Sequence, residues 1–106
     1  MTPDIETSKS DSLLALRIGV PHHVVYRSFP TETVMLNLQT GKYFGLNVTA
    51  GAILEELERA ACARDAATTL AESYGQPLER IEQDVCQLCE LLLERGLIEV
   101  DGAPPI

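Results

Sequence analysis

The residues of this chain whose types and spacing could support chemistry are three cysteines and two adjacent histidines. Cys86 and Cys89 have the C-x-x-C spacing of redox motifs, but a redox pair owes its low thiol pKa to a helix N-terminus. This pair falls in the middle of a helical pattern beside Glu82, Asp84 and Glu90, and neighbouring carboxylates raise the pKa of a thiol. We therefore interpret both cysteines as inert thiols.

Metal and acid–base chemistry are no better supported. A structural zinc site is tetrahedral, so Cys62 and the two helical cysteines would need a further ligand from His22 or His23, which lie in a different region. Neither histidine has a nucleophile or a metal-ligand spacing near it, and we interpret both as surface residues. No pair of carboxylates falls in an apolar segment, as general acid–base catalysis would suggest. The sequence predicts a protein without catalytic residues, metal or cofactor.

Charge and composition narrow the classes of partner. The 106 residues carry eight Lys and Arg against sixteen Asp and Glu, a formal net charge of −8, which gives no general attraction for phosphate backbones or anionic lipid. No apolar run approaches the roughly 20 residues of a membrane span, and the polar start is unlike a signal peptide. An odd number of cysteines fits reduced thiols. We expect a cytoplasmic protein that binds neither nucleic acid nor membrane.

The positions of these residues depend on the elements around them, which form one domain. Residues 1–12 are polar and are expected to form a disordered tail, residues 13–101 a single folded domain, and residues 102–106 a flexible C-terminus. The charge within the domain is uneven. Residues 13–47 sum to +2, whereas the part that follows is acidic.

The first half of the domain has the alternating pattern of half-buried strands. The predicted strands are Val24–Tyr26, Val34–Leu38 and Lys42–Leu46. Gln39–Gly41 forms the turn between the last two, with Gly41 at a position that favours a positive φ. These segments predict a β-hairpin or a three-stranded sheet. Leu13–Ile18 is either a further strand or the end of the tail.

The second half has the 3.6-residue period of helices. The three predicted helices run from the N-cap Asn47 to about Ala61, from Ala66 to Ser73 after the cap Asp65, and from Leu78 to Arg95. Leu70 and Tyr74 are the expected anchors of the second helix. The third has two apolar stripes, Ile81, Val85, Leu88 and Leu92 beside Cys86, Cys89 and Leu93. Gly96 ends it, and Leu97–Val100 is extended.

This order of elements predicts an α+β fold that resembles a winged helix-turn-helix. The stretch VMLNLQTGKYFGLNVTAGAILEEL makes the resemblance more specific. A hairpin followed at once by a helix rich in small residues, then LAESYG and the closing helix, resembles the family of protein D of pyrroloquinoline quinone biosynthesis. Members of that family are called RiPP recognition elements or peptide-modification chaperones. The likeness runs from about residue 23 to residue 100.

The resemblance implies a non-catalytic domain that captures the leader segment of a ribosomally made precursor peptide and presents it to a modifying enzyme. In that family the leader adds as a strand to the sheet, in a groove beside the third helix. Carried over to this sequence, the strand residues are Lys42, Tyr43, Phe44 and Gly45. The helix residues are Asp84, Val85, Leu88, Cys89 and Leu92. Which apolar stripe of the helix lines the groove and which faces the core stays open.

Two other functions are compatible with the same elements. A winged-helix regulator would read DNA with the helix Leu78–Arg95, but its five acids and two bases would repel phosphates. A small regulatory subunit would use the sheet edge to bind a folded protein. If the protein binds a leader peptide, its partner enzyme is a leader protease, a cyclase or a radical SAM enzyme, in a lasso-peptide, pyrroloquinoline quinone or related pathway. An exposed edge also allows a homodimer.

Overall fold

The computed structural model describes residues 13–101, in which an antiparallel sheet is followed by three helices. The predicted tails, residues 1–12 and 102–106, lie outside the described residues. Strand β1 is Arg17–Gly19, and strands β2 (Val24–Ser28), β3 (Glu32–Asn37) and β4 (Tyr43–Asn47) form a three-stranded sheet in the order β2-β3-β4. The predicted α+β class, with its winged-helix-like order, is confirmed.

Alternation along the strands gives the sheet one face toward the helices and one outer face. In β3, Thr33 and Met35 are buried, whereas Val34 and Leu36, which alternate with them, are only half-buried. The register pairs Met35 with Phe44, and Thr33 with Leu46, so these four side chains share the helix-facing side. The alternation of residue types that predicted the strands therefore matches the alternation of buried and half-buried side chains.

Three helices follow the sheet: α1 (Val48–Arg59), α2 (Ala63–Tyr74) and α3 (Leu78–Glu94). The predicted cap of α1 is confirmed, because the Asn47 side chain accepts a hydrogen bond of 2.8 Å from the backbone N–H of Ala50. Gly75 ends α2 in the left-handed conformation (φ +64°), which glycine adopts without strain. Helix α1 packs on β1, β3 and β4, α2 packs on α1, and α3 packs on α2.

The start and anchors of α2 differ from the prediction. The helix begins at Ala63 after the N-cap Cys62, and Asp65 lies inside the first turn rather than at the cap. Tyr74, expected to be an anchor, is 46% exposed. Leu70, the other expected anchor, is buried as predicted, and the rest of the buried face consists of small side chains, namely Ala63, Ala66, Ala67 and Ala71. Small residues let α2 approach its neighbours closely, and alanine gives a weak apolar signal in sequence.

A second, two-stranded sheet closes the domain. Strand β5, Glu99–Asp101, pairs antiparallel with β1, so the second half of the predicted extended segment Leu97–Val100 lies in a strand. Leu13 and Leu14 are helical, and only the end of the predicted segment 13–18 lies in β1. The β1 region is also held by the N–H of Ala63, which donates to the carbonyl of Leu16 at 2.9 Å.

The core is formed by side chains from both sheets and all three helices. Its largest fully buried members are Ile18, Met35, Leu54, Leu57, Leu92, Val85 and Cys89. Burying one large aliphatic side chain stabilises a fold by roughly 1.5–3 kcal/mol, so this cluster is the main source of stability. In residues 13–101, no helix has both the length and the apolar character needed to cross a membrane.

Candidate functional site

Strand β4 is an edge strand whose outer side meets no other strand within residues 13–101. The N–H of Asn37 donates to the carbonyl of Lys42 at 2.9 Å, and antiparallel pairs alternate between hydrogen-bonded and non-hydrogen-bonded residues. The register then places Phe44 in a hydrogen-bonded pair with Met35. Tyr43 and Gly45, on either side, direct their N–H and C=O groups away from β3. β4 therefore has main-chain donors and acceptors on its outer side.

The side chains of β4 divide between the two faces of the sheet. Leu46 is buried and Phe44 is half-buried on the helix-facing side, while Tyr43 is 72% exposed on the outer face. Gly45, also on the outer face, adds no side chain there. Lys42 is exposed at the start of the strand. The edge is thus apolar toward the helices and carries a cation at one end.

A cavity of about 470 Å³ lies between the start of β4 and the end of α3. Its lining residues are Asn37, Thr40, Lys42, Tyr43, Phe44, Glu94, Arg95 and Leu97. The Arg95 guanidinium lies over the Phe44 ring, 5.0 Å from the ring centroid, a cation–π contact. Three of the four strand residues expected from sequence therefore lie together in this cavity.

The turn before β4 is held in one conformation by its own side chains. The carboxamide oxygen of Asn37 accepts hydrogen bonds from the N–H groups of Gln39 (2.9 Å) and Thr40 (3.3 Å). The Thr40 hydroxyl oxygen accepts one from the N–H of Lys42 (3.2 Å). Gly41 has the expected positive φ, 75°. These contacts fix the position of Lys42 at the mouth of the cavity.

The helix residues expected in the groove are mostly buried in this structure. Val85, Cys89 and Leu92 have no exposed surface, and Leu88 is 9% exposed. Asp84 is exposed. Both apolar stripes of α3 contribute to the core, because Ile81 and Cys86 are buried as well. Of the five predicted helix residues, only Asp84, with Leu88 at the margin, reaches the surface.

Arg95 lines the cavity and therefore identifies the side of α3 that faces it. At about 100° per residue, Asp84, Leu88 and Leu91 fall on the same side of the helix as Arg95. Leu91 is half-buried, which places it at the boundary of the core. Sequence reasoning missed Arg95 and Leu91, although their spacing from Asp84 and Leu88 carries the signal. Besides Arg95, the cavity is lined by four residues that were not predicted. Asn37 and Glu94 end β3 and α3, and Thr40 and Leu97 lie in the segments that follow these elements.

The opposite edge of the sheet, β2, has different surroundings. The Tyr26 hydroxyl donates to the carboxylate of Glu58, and the Ser28 hydroxyl donates to that of Glu55 at 2.6 Å. Burial, and then the hydrogen bond and charge of Glu58, raise the pKa of Tyr26 well above its usual range. Helix α1 thus holds β2 through two carboxylates, and Arg59 of the same helix lies beside them.

The cysteines and histidines form no reactive group in the described chain. Burial raises the pKa of the Cys89 thiol to about 12, with smaller contributions from Cys86 and Glu90. The expected direction of this shift is confirmed, although burial rather than nearby charge is its main cause. His22 and His23 contact each other edge to face, with ring centroids 5.9 Å apart. Between residues 13 and 101, no three His, Cys, Asp or Glu side chains are grouped to hold a metal ion.

Comparison with known proteins identifies similar sequences and folds. Residues 32–98 match the family described as Coenzyme PQQ synthesis protein D (PqqD). One similar solved structure is TbiB1 in complex with the TbiA(beta) leader peptide, with 25% identity, a TM-score of 0.69 and coverage of 82% of this chain and 99% of that chain. Another is lasso peptide synthetase B1 complexed with the leader peptide, with 24% identity, a TM-score of 0.70 and coverage of 78% and 98%. A search of curated proteins finds no match.

Proposed function

Because the chain belongs to the PqqD family, we propose that it binds the leader segment of a ribosomally synthesised precursor peptide and presents that peptide to a modifying enzyme. The observation that carries this proposal is the outer side of β4, where main-chain groups lie beside a cavity. TbiB1, which shares the fold, is named as a complex with a leader peptide.

Binding takes place by addition of a strand to the sheet. The outward N–H and C=O groups of Tyr43 and Gly45 pair with the peptide main chain, which supplies affinity that depends little on sequence. Alternate peptide side chains then face the helices, with a repeat of about 7 Å. Those that reach the cavity meet Phe44 and the end of α3, which supplies selectivity.

The binding site includes the four predicted strand residues, Lys42, Tyr43, Phe44 and Gly45. On the helix side, we place Asp84, Leu88, Leu91 and Arg95 at the surface that the peptide meets. Val85, Cys89 and Leu92 support this surface from the core, where they fix the position of α3. This division keeps the predicted residues in one site and gives the buried ones an indirect role.

The protein acts as a carrier of the peptide rather than as a catalyst. Cys86 and Cys89 are buried, and the resemblance assigns the chemistry to a separate enzyme. A leader protease, a cyclase or a radical SAM enzyme would receive the peptide. We favour a lasso-peptide or related pathway, since the second structural neighbour is named as a lasso peptide synthetase component.

Calorimetry against synthetic leader segments from short precursor genes that neighbour its own gene tests the function. We expect one such peptide to bind with a dissociation constant between about 1 nM and about 1 μM, equivalent to roughly 8–12 kcal/mol. Duplex DNA, titrated in parallel, should not bind. Binding of DNA, with no peptide bound at high micromolar concentration, would contradict the proposal.

A further inference from the structure

The cavity beside β4 contains two cationic side chains, Lys42 and Arg95. Neither forms an ion pair with a residue in the range 13–101. The Arg95 guanidinium instead lies over the Phe44 ring, and a cation–π contact uses the charge of the guanidinium without occupying its N–H donors as a hydrogen bond would. Glu94 is the single acid of the lining, so the cavity has a formal charge of +1 in a protein whose total is −8.

Strand addition brings one peptide side chain to these cations. The outward main-chain groups of Tyr43 and Gly45 lie on either side of Phe44, so a strand paired there places one residue directly opposite Phe44. Residues that face each other across two strands have side chains on the same side of the sheet. The peptide side chain opposite Phe44 therefore points toward the helices, beside the Arg95 guanidinium.

The chemistry of this position favours a carboxylate. An aromatic side chain would displace the guanidinium from Phe44 and leave it without a partner. A carboxylate would use the Arg95 donors where they already lie, because arginine matches carboxylate geometry with two parallel hydrogen bonds. Lys42, whose main-chain N–H donates to the Thr40 hydroxyl, supplies a second positive charge to the lining of the cavity.

We propose that the cavity selects peptides with Asp or Glu opposite Phe44, and that Arg95, with Lys42, determines this specificity. The inference rests on the peptide-binding function proposed above. Elsewhere along the peptide, acidic residues gain nothing, since the protein is acidic overall and the exposed Asp84 lies on the helix surface that the peptide meets. The preference for a carboxylate is therefore confined to one position.

Selection from a random peptide library tests the proposal. The full chain is immobilised and exposed to displayed peptides of roughly 12 residues, long enough to form a strand of ordinary length. We expect the recovered sequences to share one acidic position among otherwise variable residues. The same selection on the Arg95→Gln variant should lose that position. The control, Arg59→Gln, removes an equal charge from α1 on the β2 side and should retain it.

Binding measurements on one selected peptide then test the proposed specificity separately from the proposed peptide binding. The acidic peptide should bind Arg95→Gln about fivefold more weakly than wild type, whereas its Gln analogue should bind both proteins equally. Lys42→Gln should act in the same direction, and it provides the test if Arg95→Gln fails to fold. Recovered peptides with no shared acidic position would overturn the specificity while leaving peptide binding intact. Recovery of no peptide at all would overturn the proposed function itself.

Discussion

At the scale of single residues, Gly51 of α1 packs against the Thr33 side chain of β3 with no room for a side chain of its own. A Cβ placed on Gly51 would lie 2.2 Å from the Thr33 hydroxyl oxygen and 2.9 Å from its Cβ. Thr33 is buried and its hydroxyl is 3.0 Å from that of Ser28, so it has little room to move. The helix approaches the sheet this closely because position 51 has no side chain.

Gly51→Ala should therefore destabilise the protein by about 1–3 kcal/mol through overpacking, despite the better helix propensity of alanine. Urea denaturation measures the change in the free energy of unfolding. Gly45→Ala is the matched control, because its added Cβ would meet only a Glu32 carboxylate oxygen at 3.6 Å, and it should change stability by less than about 0.5 kcal/mol. A gain of stability in Gly51→Ala would show that the contact is not limiting.

The buried Cys89 thiol predicts how stability depends on alkaline pH. Its pKa rises from an ordinary value of 9.0 to about 12 on folding, so above pH 9 the unfolded chain loses this proton while the folded chain keeps it. Stability from this group is complete below pH 9 and falls by about 1.4 kcal/mol per pH unit above it. The raised pKa of Tyr26 acts in the same direction at higher pH.

Urea titrations at pH 8 and pH 10 measure this loss of stability. Cys89→Ala should reduce the difference between the two pH values. Val85→Ala serves as the control, because it also shortens a fully buried side chain of α3 but removes no ionisable group, so the difference should remain. An equal pH dependence in wild type and Cys89→Ala would rule out the thiol as its source.

Several residue roles were predictable from sequence because they depend on local geometry. The Asn47 cap and the positive φ of Gly41 and Gly96 follow from the few residue types that such positions accept. The role of Thr33 was not predictable, and for Arg95 the spacing from Asp84 and Leu88 indicates only the side of the helix, not the contact with Phe44. Each depends on a residue distant in sequence, Gly51 or Phe44, that only the fold brings near.

At the scale of elements, β4 has two sets of main-chain groups with different functions. Phe44 pairs inward with Met35, so proline there would break the sheet. Gly45→Pro removes an outward N–H and leaves the hydrogen-bonded pairs with β3 in place. We expect it to weaken peptide binding at least about tenfold, while Gly45→Ala, which keeps the N–H, should bind nearly as wild type. Equal binding of the two variants in calorimetry would contradict pairing at this edge.

The elements differed in how far the sequence predicted them. Strands β2, β3 and β4 were located because alternation is a local signal, although every boundary except the start of β2 shifted by one or two residues. The pairing of β1 with β5 was missed because it joins two three-residue strands near opposite ends of the described chain. For α3, the sequence pattern predicted two apolar stripes. That both stripes are buried in the core depends on the elements packed against them, which only the fold shows.

At the scale of the whole molecule, the two edges of the sheet are electrostatically different. The β2 edge lies beside the carboxylates of Glu55 and Glu58 on α1, whereas the β4 edge ends at Lys42 and Arg95. The sequence already indicated a basic first half and acidic helices. The fold adds Arg95, from the acidic half, to the basic end of β4, which supports our proposal that the peptide binds at this edge.

Residue-resolved amide hydrogen exchange, followed by NMR with and without a bound peptide, tests strand addition at β4 most directly. Binding should slow exchange at Tyr43 and Gly45, the outward amides of β4. Exchange at Tyr26 and Ser28 on the β2 edge, and along α2, should remain unchanged. Protection at the β2 edge or along α2, with the two β4 amides unaffected, would contradict the account.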